Sequence, residues 1–134
     1  MGYRNRCRRC VRENDAVKAQ VRFISTNDGE DLEGVVLEDP DDVDIWITVM
    51  AGPVDGPGQE SFQLRVRSPL SLTRELNQWG PLRERHMIVV AKWDPQQIRS
   101  FINRLFTEAE GRDWNEVGEK LSRLGYWEFE DYKP

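Results

Sequence analysis

Apolar and polar positions along this chain repeat with two different periods, and the points where the period changes mark its elements. Val17, Ala19, Val21 and Phe23 alternate with Lys18, Gln20 and Arg22, which predicts a first strand with one face buried. From Val43 to Met50, Val43, Ile45, Ile47 and Val49 occupy one face, and Trp46 and Met50 lie on the other. Apolar residues on both sides place this strand inside a sheet. Ala51 to Gly58, rich in glycine and proline, is a turn that fits an antiparallel hairpin. In the partner strand Phe62, Leu64 and Val66 face inward, and Gln63, Arg65 and Arg67 form an outward polar row. Ser68-Pro69 opens a helix with Leu72, Leu76 and Trp79 on one stripe and Gly80-Pro81 as its stop. His86 to Trp93, through Met87-Ile88-Val89-Val90-Ala91, is apolar enough to predict a strand buried on both faces. Asp94-Pro95 caps a second helix, whose Ile98, Phe101, Ile102, Leu105 and Phe106 have core-facing spacing and which Gly111 ends.

The last unit begins with Asp113 and Glu116, spaced as a capping box, so a third helix starts at Trp114. Trp114, Val117, Leu121 and Leu124 share one face, Lys120 and Arg123 suit the helix dipole in the last turn, and Gly125 is expected to close the helix in the left-handed conformation. The period then drops to two. Trp127 and Phe129 alternate with Tyr126, Glu128, Glu130 and Tyr132, so the tail is an extended segment with an inner and an outer row. Three consecutive strands followed by helix, strand, helix and helix predict an α+β fold: a mainly antiparallel sheet of about four strands, three helices packed on one face, and an extended aromatic C-terminal tail. Residues 1–16 lack apolar periodicity and are expected to be a flexible basic arm, with 17–134 a single domain.

Charge sharpens this division. The chain of 134 residues carries a net −5, yet its first fifteen residues hold five arginines against Glu13 and Asp15, a net +3 that leaves −8 on the rest. An acidic body repels nucleic acid and accelerates encounter with basic protein surfaces. The arm has almost no aromatics to stack on bases and no reading motif, so no nucleic-acid partner is expected. No apolar run reaches membrane-spanning length and no signal-peptide core follows the arginines, so a cytoplasmic protein without a membrane partner is expected. Ser25 to Asp42 holds eight acids, Asp39, Asp41 and Asp42 among them, and no basic residue. It lacks the calcium-loop pattern at every register, and reads as a solvated loop or a patch facing a basic partner. Cys7 and Cys10 have the spacing of a zinc half-site or a redox dithiol, but no second pair completes four ligands and only His86 stands downstream, so two reduced cysteines are expected. Nothing in the pattern predicts catalysis. His86 opens a core strand, no serine sits in a nucleophile elbow, no phosphate loop or dinucleotide fingerprint occurs, and Glu128 with Glu130 form a flat row rather than a pocket. No catalytic residue, metal or cofactor is expected.

The residues of the last unit also resemble a known family. The run from Trp114 through Glu116 and Lys120-Leu121-Ser122-Arg123 to Trp127-Glu128-Phe129-Glu130-Asp131-Tyr132 is similar to the C-terminal signature of the Imm8 family of bacterial immunity proteins. Gly52-Pro53, Glu60-Ser61-Phe62, Ser68-Pro69 and Arg85-His86 follow the same order, and the resemblance runs from about Lys18 to Tyr132. It implies a protein that binds and neutralises a cognate polymorphic toxin inside the cell that makes it. A general protein-interaction module of the same fold, with no toxin partner, is the alternative. The acidic body points to a basic, nuclease-like toxin. The candidate toxin-binding residues are Tyr126, Glu128, Glu130 and Tyr132 of the outer tail row and Asp39, Asp41 and Asp42 of the acidic stretch. Trp127 and Phe129 are expected to be structural.

Overall fold

The computed structural model describes residues 16–128; the arginine-rich arm with Cys7 and Cys10, and Phe129, Glu130, Asp131 and Tyr132 of the tail, lie outside the described residues. Three long strands, β1 (Val17–Thr26), β2 (Asp44–Pro53) and β3 (Glu60–Arg67), pair antiparallel in sequence order. Helix α1 (Pro69–Trp79) carries the chain to β4 (Met87–Val89), which lies parallel to β3 because the connection crosses over rather than turning back. Helix α2 (Pro95–Thr107) leads to β5 (Glu110–Gly111), paired with the start of β1, and α3 (Trp114–Leu121) leads to β6 (Tyr126–Trp127), paired antiparallel with β3. The strand order is β4-β3-β2-β1-β5, with β6 also on β3. The fold is therefore α+β as expected, but with six strands among the described residues in a mixed sheet rather than about four in a mainly antiparallel one.

The core lies between one sheet face and two helices. Ile47, Val49 and Ala51 of β2 and Phe62, Leu64 and Val66 of β3 are fully buried against Ile98, Ile102 and Phe106 of α2 and Val117 and Leu121 of α3. The cap signals hold in place: Asp94 accepts from the Gln97 N–H and Asp113 from the Glu116 N–H, while Glu116 reaches back to the Arg112 N–H.

Helix α1 does not join that layer, which corrects the expectation of three helices on one face. Arg67 points to the side of β3 opposite Phe62, Leu64 and Val66, and there its guanidinium meets Ser71 and Glu75 of α1. Leu76 and Trp79, expected to face the core, are exposed, because α1 is held by polar contacts to Arg67. Ser68 does not cap α1 with its side chain; its Oγ accepts the Val43 N–H at 2.8 Å and ties β2 to β3.

Four more expectations change with tertiary context. A bulge between Val21 and Phe23 shifts the phase of β1, so Ile24 is buried and Phe23 turns outward. β4 is a three-residue edge strand with Val89 exposed, not a strand buried on both faces. Gly111 does not stop α2, which ends at Thr107; it pairs with Val17 in β5. Gly125 is not left-handed: a Cβ there would lie 3.0 Å from Leu64 Cδ1, so the glycine serves close approach of the chain to β3.

Candidate functional site

The tail is a point where two rows of side chains part. Trp127 sits opposite Phe62 and Tyr126 opposite Gln63 in the β3–β6 register, so the strand alternation sends them to different faces. Trp127 stacks on Phe62 with ring centroids 6.2 Å apart, donates from its indole nitrogen to Glu60 Oε1 at 3.2 Å, and lies over Gly118 of α3. A Cβ on Gly118 would stand 2.6 Å from the Trp127 ring, which explains a glycine in mid-helix despite a propensity cost of about 1 kcal/mol. Trp114 donates to the same Glu60 oxygen, so one carboxylate joins both indoles. Glu128 closes the pairing: its N–H donates to Ser61 O at 3.2 Å, and its carboxylate accepts the Ser61 N–H at 2.7 Å.

Tyr126 belongs to a cluster on the other face. Its ring meets His86 edge-on at 4.4 Å and Trp46 at 6.1 Å, and the Arg85 guanidinium lies 5.1 Å from its centre. Among the described residues His86 is the non-glycine residue with a positive φ, 59°, a conformation that histidine tolerates better than most side chains. That turn brings the His86 carbonyl to the Arg65 N–H at 3.0 Å and starts β4 alongside β3. Beneath the aromatic cluster Arg65 forms paired hydrogen bonds to Asp44 at 2.7 and 2.8 Å, a third to Glu84 at 2.9 Å, and lies 5.6 Å from the Trp46 ring centre. The guanidinium beside Asp44 holds that carboxyl below its usual range, and Asp44 in turn raises Arg65. Arg67, only 2% exposed, is neutralised by Glu75 at 3.0 Å, Glu84 at 3.5 Å and Asp44 at 3.6 Å. Arg65, Glu75 and Glu84 line a cleft of about 520 Å³ with Trp46, Arg83, Arg85 and Tyr126 on its walls.

The acidic stretch is partly folded into the body. Asp31 caps the 3-10 turn Leu32–Gly34, and Glu33 pairs with Arg99 of α2, which holds its pKa at about 2. Asp42 pairs with Arg74 of α1, and Asp39 accepts the Asp41 N–H at 3.0 Å. Asp28, Glu30, Glu38, Asp39 and Asp41 remain exposed, with no ion pair among the described residues.

Of the seven candidate binding residues, Glu130 and Tyr132 lie outside the described residues, as does Phe129 of the inner row. The structure places Tyr126 and Glu128 at the β3 edge and Asp39, Asp41 and Asp42 in the loop that leads into β2. The two groups do not touch; the Asp44–Arg65 pair, beside Trp46, stands at the β2 end of that loop. Trp46, Arg65, Arg67, Glu84 and Arg85 were not among the binding candidates that the sequence suggested. The one available signal was two arginines alternating with core residues in a strand, next to a segment with no basic residue of its own. Among the described residues no group of three or more histidine, cysteine, aspartate or glutamate side chains is arranged to hold a metal. No helix among them is long and apolar enough to cross a membrane.

The sheet face that α2 and α3 leave uncovered thus carries a cluster of tryptophan, tyrosine and arginine, the residue types that dominate interface hot spots. The family model for Immunity protein 8, Imm8, matches residues 19–132, and the chain belongs to that family of immunity proteins. Comparison with curated proteins and with solved structures finds no match in either.

Proposed function

We propose that this immunity protein neutralises a basic, nuclease-like toxin by binding it rather than by catalysis, through Asp39, Asp41 and Asp42 of the acidic loop and the outer tail row Tyr126, Glu128, Glu130 and Tyr132. The observation that carries the reading is the set of exposed carboxylates at Asp28, Glu30, Glu38, Asp39 and Asp41 that form no ion pair among the described residues, whereas Arg65 and Arg67 are each matched by carboxylates. Unanswered surface charge of one sign contributes little to folding and much to encounter. Tyr126 adds a rigid aromatic anchor, already packed by Trp46 and His86, that loses little side-chain entropy on binding.

The association rate with the cognate toxin is therefore expected to fall about tenfold or more as the Debye length shrinks from about 30 to about 8 Å with added salt. Replacing Asp39 and Asp41 by asparagine flattens that dependence and leaves the melting temperature unchanged, as stopped-flow mixing and thermal unfolding will show. A rate insensitive to salt contradicts a basic partner.

A further inference from the structure

Among the described residues β4 is the terminal strand of the sheet and is bonded on one side only. The Arg65 N–H donates to the His86 carbonyl at 3.0 Å and the Val90 N–H to the Arg67 carbonyl at 2.8 Å, so even-numbered residues turn toward β3. The alternation of a parallel ladder then turns the N–H and C=O groups of Met87 and Val89 outward. Natural edges are blunted by short length, charge, proline or a covering element, and β4, three residues long, uses the first of these. Met87 to Ala91 contains neither charge nor proline, and Val89 is 54% exposed.

Beside this edge runs a groove of about 670 Å³ between β4 and α2. Its helical wall is formed by Gln97, Phe101 and Arg104, spaced so that they share one stripe of α2, and Phe101 is 37% exposed. Arg104, the one charged residue lining the groove, lies 5.5 Å from the Phe101 ring centre and makes no ion pair among the described residues.

We propose that the groove between β4 and α2 is a strand-addition site for an extended apolar segment of another protein that bears a carboxylate. Such a segment continues the sheet by hydrogen-bonding to Met87 and Val89, sets alternate side chains against Phe101, and places its carboxylate on Arg104. Charge selects the occupant: in a chain of net −5 this groove offers a lone cation on an apolar wall. A second copy pairing edge to edge fits poorly, because Met87 to Ala91 contains no acid to answer Arg104. α2 covers the core face of the sheet and Tyr126 lies on the other, so the site stands whether or not the toxin binds at Tyr126.

The test selects short random peptides displayed on phage against the full-length protein. Enriched sequences are expected to alternate apolar residues and to carry an aspartate or glutamate at one constant position. Val89→Pro removes the outward N–H, keeps both bonds to β3, and is expected to weaken these peptides at least about tenfold. Arg104→Gln is expected to weaken the acidic peptides about three- to tenfold and to leave their amide counterparts unchanged, with the melting temperature preserved. Failure to enrich any peptide, enrichment without a constant acidic position, or equal affinity for the Arg104→Gln protein overturns the proposal. Concentration-dependent dimerisation that Val89→Pro abolishes overturns it in favour of a second copy.

Discussion

Replacing Phe62 by alanine is expected to lower the unfolding free energy by about 3 to 5 kcal/mol, and Trp127→Ala by about 3 kcal/mol. Phe62 is fully buried, meets Phe106 edge-on at 5.7 Å and carries Trp127 on its face at 6.2 Å. It is thus where α2, β3 and the tail converge, and its removal opens a cavity between three elements that cannot close together. Trp127 is half-buried, but its loss leaves Gly118 bare and removes one of the two indoles on Glu60. A domain of this size has about 5 to 15 kcal/mol in total, so either change consumes a large share of the margin. Urea denaturation measures both; a loss under about 1 kcal/mol for Trp127→Ala would show that the tail is not part of the core.

Arg67→Ala should be as damaging, for an electrostatic reason. Without the buried guanidinium, Glu75, Glu84 and Asp44 converge with only Arg65 between them, and the Ser71 hydroxyl loses one of its two partners, keeping the Ser68 carbonyl. Breaking a buried ion network by removing one side costs about 3 to 5 kcal/mol, whereas removing both sides with apolar groups of similar size is often near neutral. Arg67→Met combined with Glu84→Met is therefore expected to recover much of the loss. Denaturation midpoints of the single and double variants decide this; a harmless Arg67→Ala would mean that the network contributes nothing to stability.

How much of this was legible in the sequence follows the range of the forces involved. Local signals were readable: Asp94-Pro95 and Asp113 with Glu116 mark the starts of α2 and α3, and the period-two run through Phe62, Leu64 and Val66 marks β3 and its buried face. Signals set by distant partners were not. The burial of Arg67 depends on Glu75 and Glu84, eight and seventeen residues along the chain, and two arginines in an outward polar row do not say which carboxylates will meet them. The outward turn of Phe23 depends on a one-residue bulge that leaves composition untouched. Five apolar residues from Met87 to Ala91 look like a central strand, yet the crossover through α1 delivers them to an edge. At the candidate site the division between Trp127 and Tyr126 was readable from alternation alone, but the partners of Tyr126 were not, because Trp46 comes from β2 and His86 from the turn before β4.

That division is also where the binding account is most exposed to test. Calorimetric titration of the cognate toxin domain into the wild-type and Tyr126→Ala proteins, with the melting temperature of each recorded alongside, measures it in a single comparison. The account predicts that Tyr126→Ala stays folded and binds at least about tenfold more weakly, a loss of about 1.4 kcal/mol or more. Unchanged affinity in a folded Tyr126→Ala protein would contradict it.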